Sequence, residues 1–284
     1  MFSKRFGAFA ALMLTILLAA PAAFAQAPEP WQLGLQAAAS PVGHQVGAFH
    51  NLLLWIITGI TLFVLALLVY VMVRFNANRN PNPDKTTHHT LIEVVWTVVP
   101  VLILVVIAIP SFRLLYFMEK AENPEMTVKV TGYQWYWGYE YPDQGGVSFT
   151  SNMIPDAELK PGQKRLLEVD NRMVVPVNTV VRLQTTAADV IHAFALPAFG
   201  VKKDAIPGRL NETWFKAERE GVYYGQCSEI CGINHGYMPI AIEVVSKPVF
   251  EAWVKRAQAG NVLSPAMAAA DPADGRTQTA QAGN

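Results

Sequence analysis

CSEICGINHGYM, residues 227–238, places Cys227, Glu229, Cys231, His235 and Met238 within one short stretch. It joins the runs GVYYGQ and PIAIEVV, which are rich in aromatic and β-branched residues and read as strands. The stretch is therefore a loop hung between two strands. Its two cysteines are the only ones in the chain. Four chemistries suit such a pair: a disulfide, a zinc knuckle, a thiol redox couple, or the sulfur ligands of an electron-carrying metal. The choice depends on which side of a membrane the loop lies.

The N-terminus reads MFSKRFGAFAALMLTILLAAPAAFAQA. Lys4 and Arg5 precede an apolar run from Phe6 to Ala20, and Ala23-Phe24-Ala25 supplies the small residues a signal peptidase needs. The mature chain is expected to begin near Gln26, outside the cytoplasm. Leu52 to Val73 is an uncharged run long enough to cross a hydrocarbon core of about 30 Å. Val94 to Phe112 forms a second such run and carries Pro100 and Pro110, which membrane helices tolerate. In the link between them Arg74, Arg79 and Lys85 outnumber Asp84, which puts that loop in the cytoplasm. The signal peptide and the loop charges agree on one topology.

The 284-residue chain thus divides into a signal peptide (1–25), an N-terminal periplasmic segment (26–48), a first transmembrane helix (49–74), a cytoplasmic loop (75–92), a second transmembrane helix (93–118), an outer domain (119–258) and a tail (259–284). The tail, rich in Ala, Gly and Pro, is expected to be disordered. The chain carries 22 basic and 22 acidic side chains, and no nucleic-acid partner is expected.

The outer domain reads as short strands with turn punctuation: MTVKVTGYQWYWGYEY, KRLLEVD, VNTVVRLQTT, DVIHAFALP, ETWFKAE, GVYYGQC and PIAIEVV. Such spacing predicts an all-β sandwich or barrel, with FEAWVKRAQ as its one helix. In YQWYWGYEY, period two puts Tyr133, Trp135, Trp137, Tyr139 and Tyr141 on one strand face, mostly as an aromatic core stripe. An exposed indole beside a metal would instead give a donor protein a conjugated contact.

Outside the cytoplasm a Cys pair is a disulfide by default. A disulfide has no use for His235 or Met238. Zinc would accept Cys227, Cys231, His235 and the distant His192, but leaves the thioether without a role. Copper takes thiolate, imidazole and thioether together, and one thiolate more than a mononuclear centre needs suggests two ions sharing bridging sulfurs. His192, in TAADVIHAFALP, enters only because the loop needs a further donor.

CSEICGINHGYM, with DVIHAFALPAFGVKKDAIPGRLNETWF and YQWYWGYEY upstream, resembles subunit II of the cytochrome c oxidases, from the first transmembrane segment to about Trp253. The signal peptide points to the bacterial form. The resemblance implies an N-terminal two-helix transmembrane hairpin and a cupredoxin-like Greek-key domain in the periplasm of the bacterial inner membrane, holding the binuclear copper A centre. It implies that Cys227 and Cys231 bridge the coppers, that His192 and His235 each bind one, and that Met238 and the Glu229 carbonyl complete the set. Trp135 is then where electrons enter from cytochrome c, with Glu140, Asp143, Asp170 and Asp189 as candidates for steering that basic partner. The Glu229 carboxylate would serve a Mg²⁺ shared with subunit I, and Glu93 would stand at the mouth of a proton channel of subunit I.

Oxygen chemistry is not expected of this chain. It has no CxxCH, and two spans cannot enclose a haem. A larger partner, with other oxidase subunits, would reduce oxygen and pump protons. A membrane-anchored copper chaperone would have one span and commonly Pro after the second Cys, where this chain has Gly232. A quinol-oxidase subunit would lack the ligands that are present here.

Overall fold

A computed structural model describes residues 25–270. The signal-peptide reading of residues 1–25 lies almost wholly outside the described residues. After a two-residue strand β1 (Ala25–Gln26), the chain forms helices α1 (Pro41–Arg74) and α2 (Thr90–Glu119). Both spans expose Leu, Val and Ile all round, as a hairpin in lipid must. At 1.5 Å per residue α1 is about 51 Å long, more than a bilayer core needs.

The helix therefore begins ahead of the span expected from residue 49. Ser40 caps the helix, its Oγ accepting from the Gly43 N–H at 2.9 Å, and Pro41 occupies the first turn without losing a needed donor. The first turns of α1 are therefore part of the outer domain's base. There Ser40 Oγ donates to Phe199 O, Ala39 N to Ala198 O and Glu218 N to Ala39 O. The end of α2 is tied as well: the Trp214 indole donates to Phe117 O at 2.8 Å, and the two rings meet edge to face. Each helix enters the domain through hydrogen bonds and not through a slack linker.

The outer domain is a cupredoxin-like sandwich of two sheets. One has the order β4 (Val147–Ser151), β3 (Tyr136–Tyr141), β2 (Met126–Tyr133), β6 (Val180–Ala187), β9 (Asn211–Lys216). The other has β5 (Met173–Pro176), β11 (Pro239–Val245), β10 (Gly221–Cys227), β7 (His192–Leu196), β8 (Val201–Ala205), with β1 also pairing along β10. Alternation decides the core: Trp137, Tyr139 and Tyr141 point inward from β3, and Ile240, Ile242 and Val244 from β11. Trp137 and Phe194 meet edge to face at 5.2 Å across the sheets. Helix α3 (Lys247–Gln258) closes one end with Phe250 and Trp253.

Three expectations change. The aromatic run is not one strand: the chain turns at Gln134 and Trp135, through a cis peptide, so Tyr133 and Trp135 leave the buried stripe. Tyr133 instead stacks on Tyr136, centroids 4.7 Å apart. KRLLEVD forms turns and a single bridge at Val169 in place of a strand, because it carries the buried Glu168 into an ionic network. And residues 261–270, expected to be disordered, fold onto the outer face of a sheet. The Trp253 indole donates to Val262 O, Ser264 Oγ donates to Glu243, and the Ala266 N–H meets Glu243 Oε1 at 2.7 Å before the short helix α4 (Pro265–Ala269). Small residues that composition marks as tail are the ones that fit close against a strand.

Candidate metal centre

Three neighbouring strands build the site. β10 ends at Cys227, β11 begins just after Met238, and the loop between them closes over the end of the sandwich. On the other edge of β10, β7 pairs antiparallel with Cys227 opposite Phe194, which brings His192 beside the loop. The loop is held at both rims: Cys227 N donates to Met238 O, Ser228 N to Ala193 O, and Gln226 Nε2 to Gly236 O.

The donors converge. Cys227 Sγ and Cys231 Sγ lie 3.9 Å apart, far beyond the roughly 2.05 Å of a disulfide, and neither is bridged. His192 Nδ1 is 3.9 Å from Cys227 Sγ, His235 Nδ1 is 3.5 Å from Cys231 Sγ, and Met238 Sδ is 3.5 Å from Cys231 Sγ. The Glu229 carbonyl oxygen stands 3.5 Å from Cys227 Sγ. His192, Cys227 and Cys231 form the one cluster of three ligand groups found among the described residues. Both sulfurs, His192 and Met238 are buried, His235 is half-buried, and the Glu229 side chain is exposed. The arrangement brings together all six positions that the sequence singled out as ligands. Two soft sulfurs flanked on each side by an imidazole nitrogen, with a thioether and a carbonyl beyond, form a donor set that fits copper.

Burial alone would raise the Cys227 thiol, but hydrogen bonds to His192 and to the Glu229 and Ala193 backbone pull it down to about 6. Burial and the neighbouring Cys227 thiolate push Cys231 up to about 12. One thiolate is thus present near neutrality, and its charge opposes the second. Metal uptake at pH 7 is expected to expel about one thiol proton, rising toward two below pH 6. Thiolate absorbance of the metal-free chain should titrate in two steps, near pH 6 and near pH 12; one step near 9 for both thiols would refute the asymmetry.

Around the donors lies a second layer whose contacts the sequence did not reveal. Asp189 Oδ1 sits 2.9 Å from His192 Nε2, turning Nδ1 toward Cys227. Its other oxygen accepts from the Gln134 N–H at 2.7 Å. Gln134 Nε2 and the Trp135 indole both donate to Cys231 O, at 2.8 and 3.2 Å. Trp137 donates to Met238 O from the core side. Gly232, at φ +125, is needed where Trp135 closes on the loop: a Cβ there would come within 3.0 Å of the indole. Asp189, expected as a docking carboxylate, thus links a ligand to the tryptophan turn. The spacing Asp-x-x-His was the available signal.

The other candidates are placed less directly. Glu140 pairs with Lys129, Asp143 accepts from Thr127 N, and Asp170 holds Asn152, so each first secures its own strands and turns. Glu93 lies far along the chain in the first turn of α2, where its carboxylate accepts from the His89 N–H at 3.1 Å as a helix cap.

Residues 126–245 match the family described as cytochrome c oxidase subunit II, periplasmic domain, and residues 28–114 match its transmembrane domain. A relative from Rickettsia bellii, a probable cytochrome c oxidase subunit 2, is 56% identical over 242 residues, covering 85% of this chain and 90% of that protein. The chain belongs to the cytochrome c oxidase subunit II family. The subunit II of Cereibacter sphaeroides is 46% identical over 283 residues, covering 90% of this chain and 93% of its own. The solved periplasmic domain of subunit II from Bradyrhizobium japonicum is 60% identical, spanning 50% of this chain and 99% of that domain, with a TM-score of 0.47. As a subunit II, the protein is a membrane component of a haem–copper oxidase, an oxidoreductase, and its partners are other oxidase subunits.

Proposed function

We propose that this subunit II accepts single electrons from cytochrome c at a binuclear copper A centre and relays them to the haem of subunit I, where oxygen is reduced to water with proton pumping. The observation that carries the reading is the pair of unbridged sulfurs 3.9 Å apart, each with an imidazole Nδ1 beside it. Cys227 and Cys231 would bridge two copper ions, His192 and His235 would each hold one, and Met238 and the Glu229 carbonyl would complete the set. When bound, the centre supplies one-electron transfer shared over two ions. The chain's own part is to keep that change small: strands β7, β10 and β11 fix the ligands from three sides, and core burial excludes water.

Trp135 is the proposed point where the electron enters. Its half-buried ring packs on the core, and its indole N–H reaches the carbonyl of a ligand cysteine, a short covalent and hydrogen-bonded route inward. The exposed Glu229 carboxylate can give a hard oxygen to a Mg²⁺ shared with subunit I. Glu93, at the cytoplasmic edge of α2, is proposed as the mouth of a proton channel in subunit I; its cap hydrogen bond also accounts for a carboxylate there. The hairpin is proposed to lie in a bacterial inner membrane, with lipid around it and the outer domain in the periplasm; the spans and the loop charges support that orientation.

Electron paramagnetic resonance of the copper-loaded full chain tests the centre. A seven-line hyperfine pattern, one spin shared by two nuclei, is expected. Four lines at one copper per chain would overturn the relay and favour a metal carrier.

A further inference from the structure

On the membrane face of α1 the residues Leu62, Leu65, Ala66, Val69, Tyr70 and Val73 share one side at helical spacing and line an open groove of about 570 Å³. Arg74 and Arg79 close its cytoplasmic end. No residue of α2 lines it, so the hairpin's own packing leaves the groove uncovered. From Leu62 to Val73 the groove runs about 16 Å, close to the roughly 15 Å depth of one leaflet. Ala66 is the small residue that opens it between the larger Leu65 and Val69 side chains.

The charges at its end have no carboxylate. Among the described residues neither Arg74 nor Arg79 forms an ion pair. The Arg74 guanidinium lies 5.6 Å from the Phe75 ring centroid, and Arg79 Nη1 donates to Val73 O at 3.4 Å, which bends it back toward the helix end, so that both side chains line the same end of the groove. Asp84, the acid of that loop, is turned to Thr86. Two cations therefore stand together at headgroup depth above an apolar channel one leaflet long, with the Tyr70 ring in the interfacial layer.

We propose that this groove binds one anionic phospholipid of the cytoplasmic leaflet, its phosphate between Arg74 and Arg79 and an acyl chain along Leu62, Ala66, Val69 and Val73. The proposal rests on the topology given under Proposed function, but not on the metal centre. Apolar area alone would hold any lipid. The paired guanidinium groups add selection for negative charge, roughly five-fold per arginine.

Native mass spectrometry of the full chain in detergent, titrated with phosphatidylglycerol and with phosphatidylcholine of the same chains, tests it. One phosphatidylglycerol is expected to bind roughly 25-fold more tightly than phosphatidylcholine. The Arg74→Gln/Arg79→Gln chain should lose that preference, Ala66→Trp should fill the groove and weaken both lipids, and Lys85→Gln should change nothing. Equal affinity for the two lipids overturns the proposal, as does an equal loss in Lys85→Gln, which would mean diffuse surface charge. A photo-crosslinker at Ala66 in the intact oxidase should capture lipid; capture of another oxidase subunit would overturn the assignment by showing a protein contact. Unchanged helical dichroism and an unchanged elution volume in detergent for each variant exclude misfolding as the cause.

Discussion

Arg172→Met is expected to destabilise the outer domain by about 3–5 kcal/mol. The guanidinium is buried between two carboxylates: Nε and Nη2 donate to Glu168 at 2.8 Å each, and Nη1 donates to Glu243 at 3.2 Å. Glu168 is fully buried and also accepts from the Tyr224 hydroxyl at 2.8 Å, while Glu243 receives Ser264 Oγ and Ala266 N. Removing the cation leaves two negative charges out of water with only neutral donors. The same network fastens residues 261–270 to β11, so the C-terminal segment should loosen together with the domain. Thermal unfolding of the full chain, followed by near-ultraviolet dichroism of the buried tryptophans, should shift down by roughly 10–15 °C. Replacing Arg172, Glu168 and Glu243 together by Met, Gln and Gln should recover most of that loss, because no charge then remains buried. A single-variant shift under about 3 °C would show that the carboxylates find water or another partner.

Asp189→Ala should lower copper affinity roughly 10–100-fold while leaving the fold intact. One carboxylate performs two tasks. It orients the His192 ring from Nε2, and it holds the Gln134 N–H of the turn that presents Trp135. Burial would raise its pKa, but the hydrogen bonds from His192, Val190 N and Gln134 N hold it below the ordinary carboxylate value. A depressed acid stabilises the folded arrangement above its unfolded pKa and loses that contribution as pH falls through the folded value. Wild-type affinity should therefore weaken in strong acid partly through Asp189, and the alanine chain should lack that component. Asp189→Asn can still accept from one side and should fall between the two. The readouts are competition with a copper chelator and the imidazole hyperfine coupling of His192, which a merely structural loss would leave unchanged in the residual bound fraction. Affinity within two-fold of wild type would remove Asp189 from the site.

Much of this was legible in the chain because it depends on short-range pattern. An uncharged run such as Leu52–Val73 has only one stable fate in lipid, and the Cys-x3-Cys-x3-His-x2-Met spacing places four donors in one loop whatever surrounds them. The ends of elements were less legible. Helix α1 begins at Pro41 because Ser40 meets Phe199, a contact 159 residues away that no local propensity records. The aromatic run follows period two as far as Trp137, Tyr139 and Tyr141. It fails at Trp135 because the turn is held by Asp189 and by the Cys231 carbonyl, both remote in sequence.

By itself the sequence picked out the candidate ligands of one loop, the segments long and apolar enough to span, and the excess of positive charge in the link between them, since residue type and spacing decide all three. Only the tertiary structure decided that His192 stands beside Cys227, that Asp189 is a positioning group and not simply a surface charge, and that a tail rich in alanine is pinned by Glu243. The physical reason is pairing across strands. Register between β7 and β10, and burial of ionic groups against distant partners, are long-range choices made when the sheets pack.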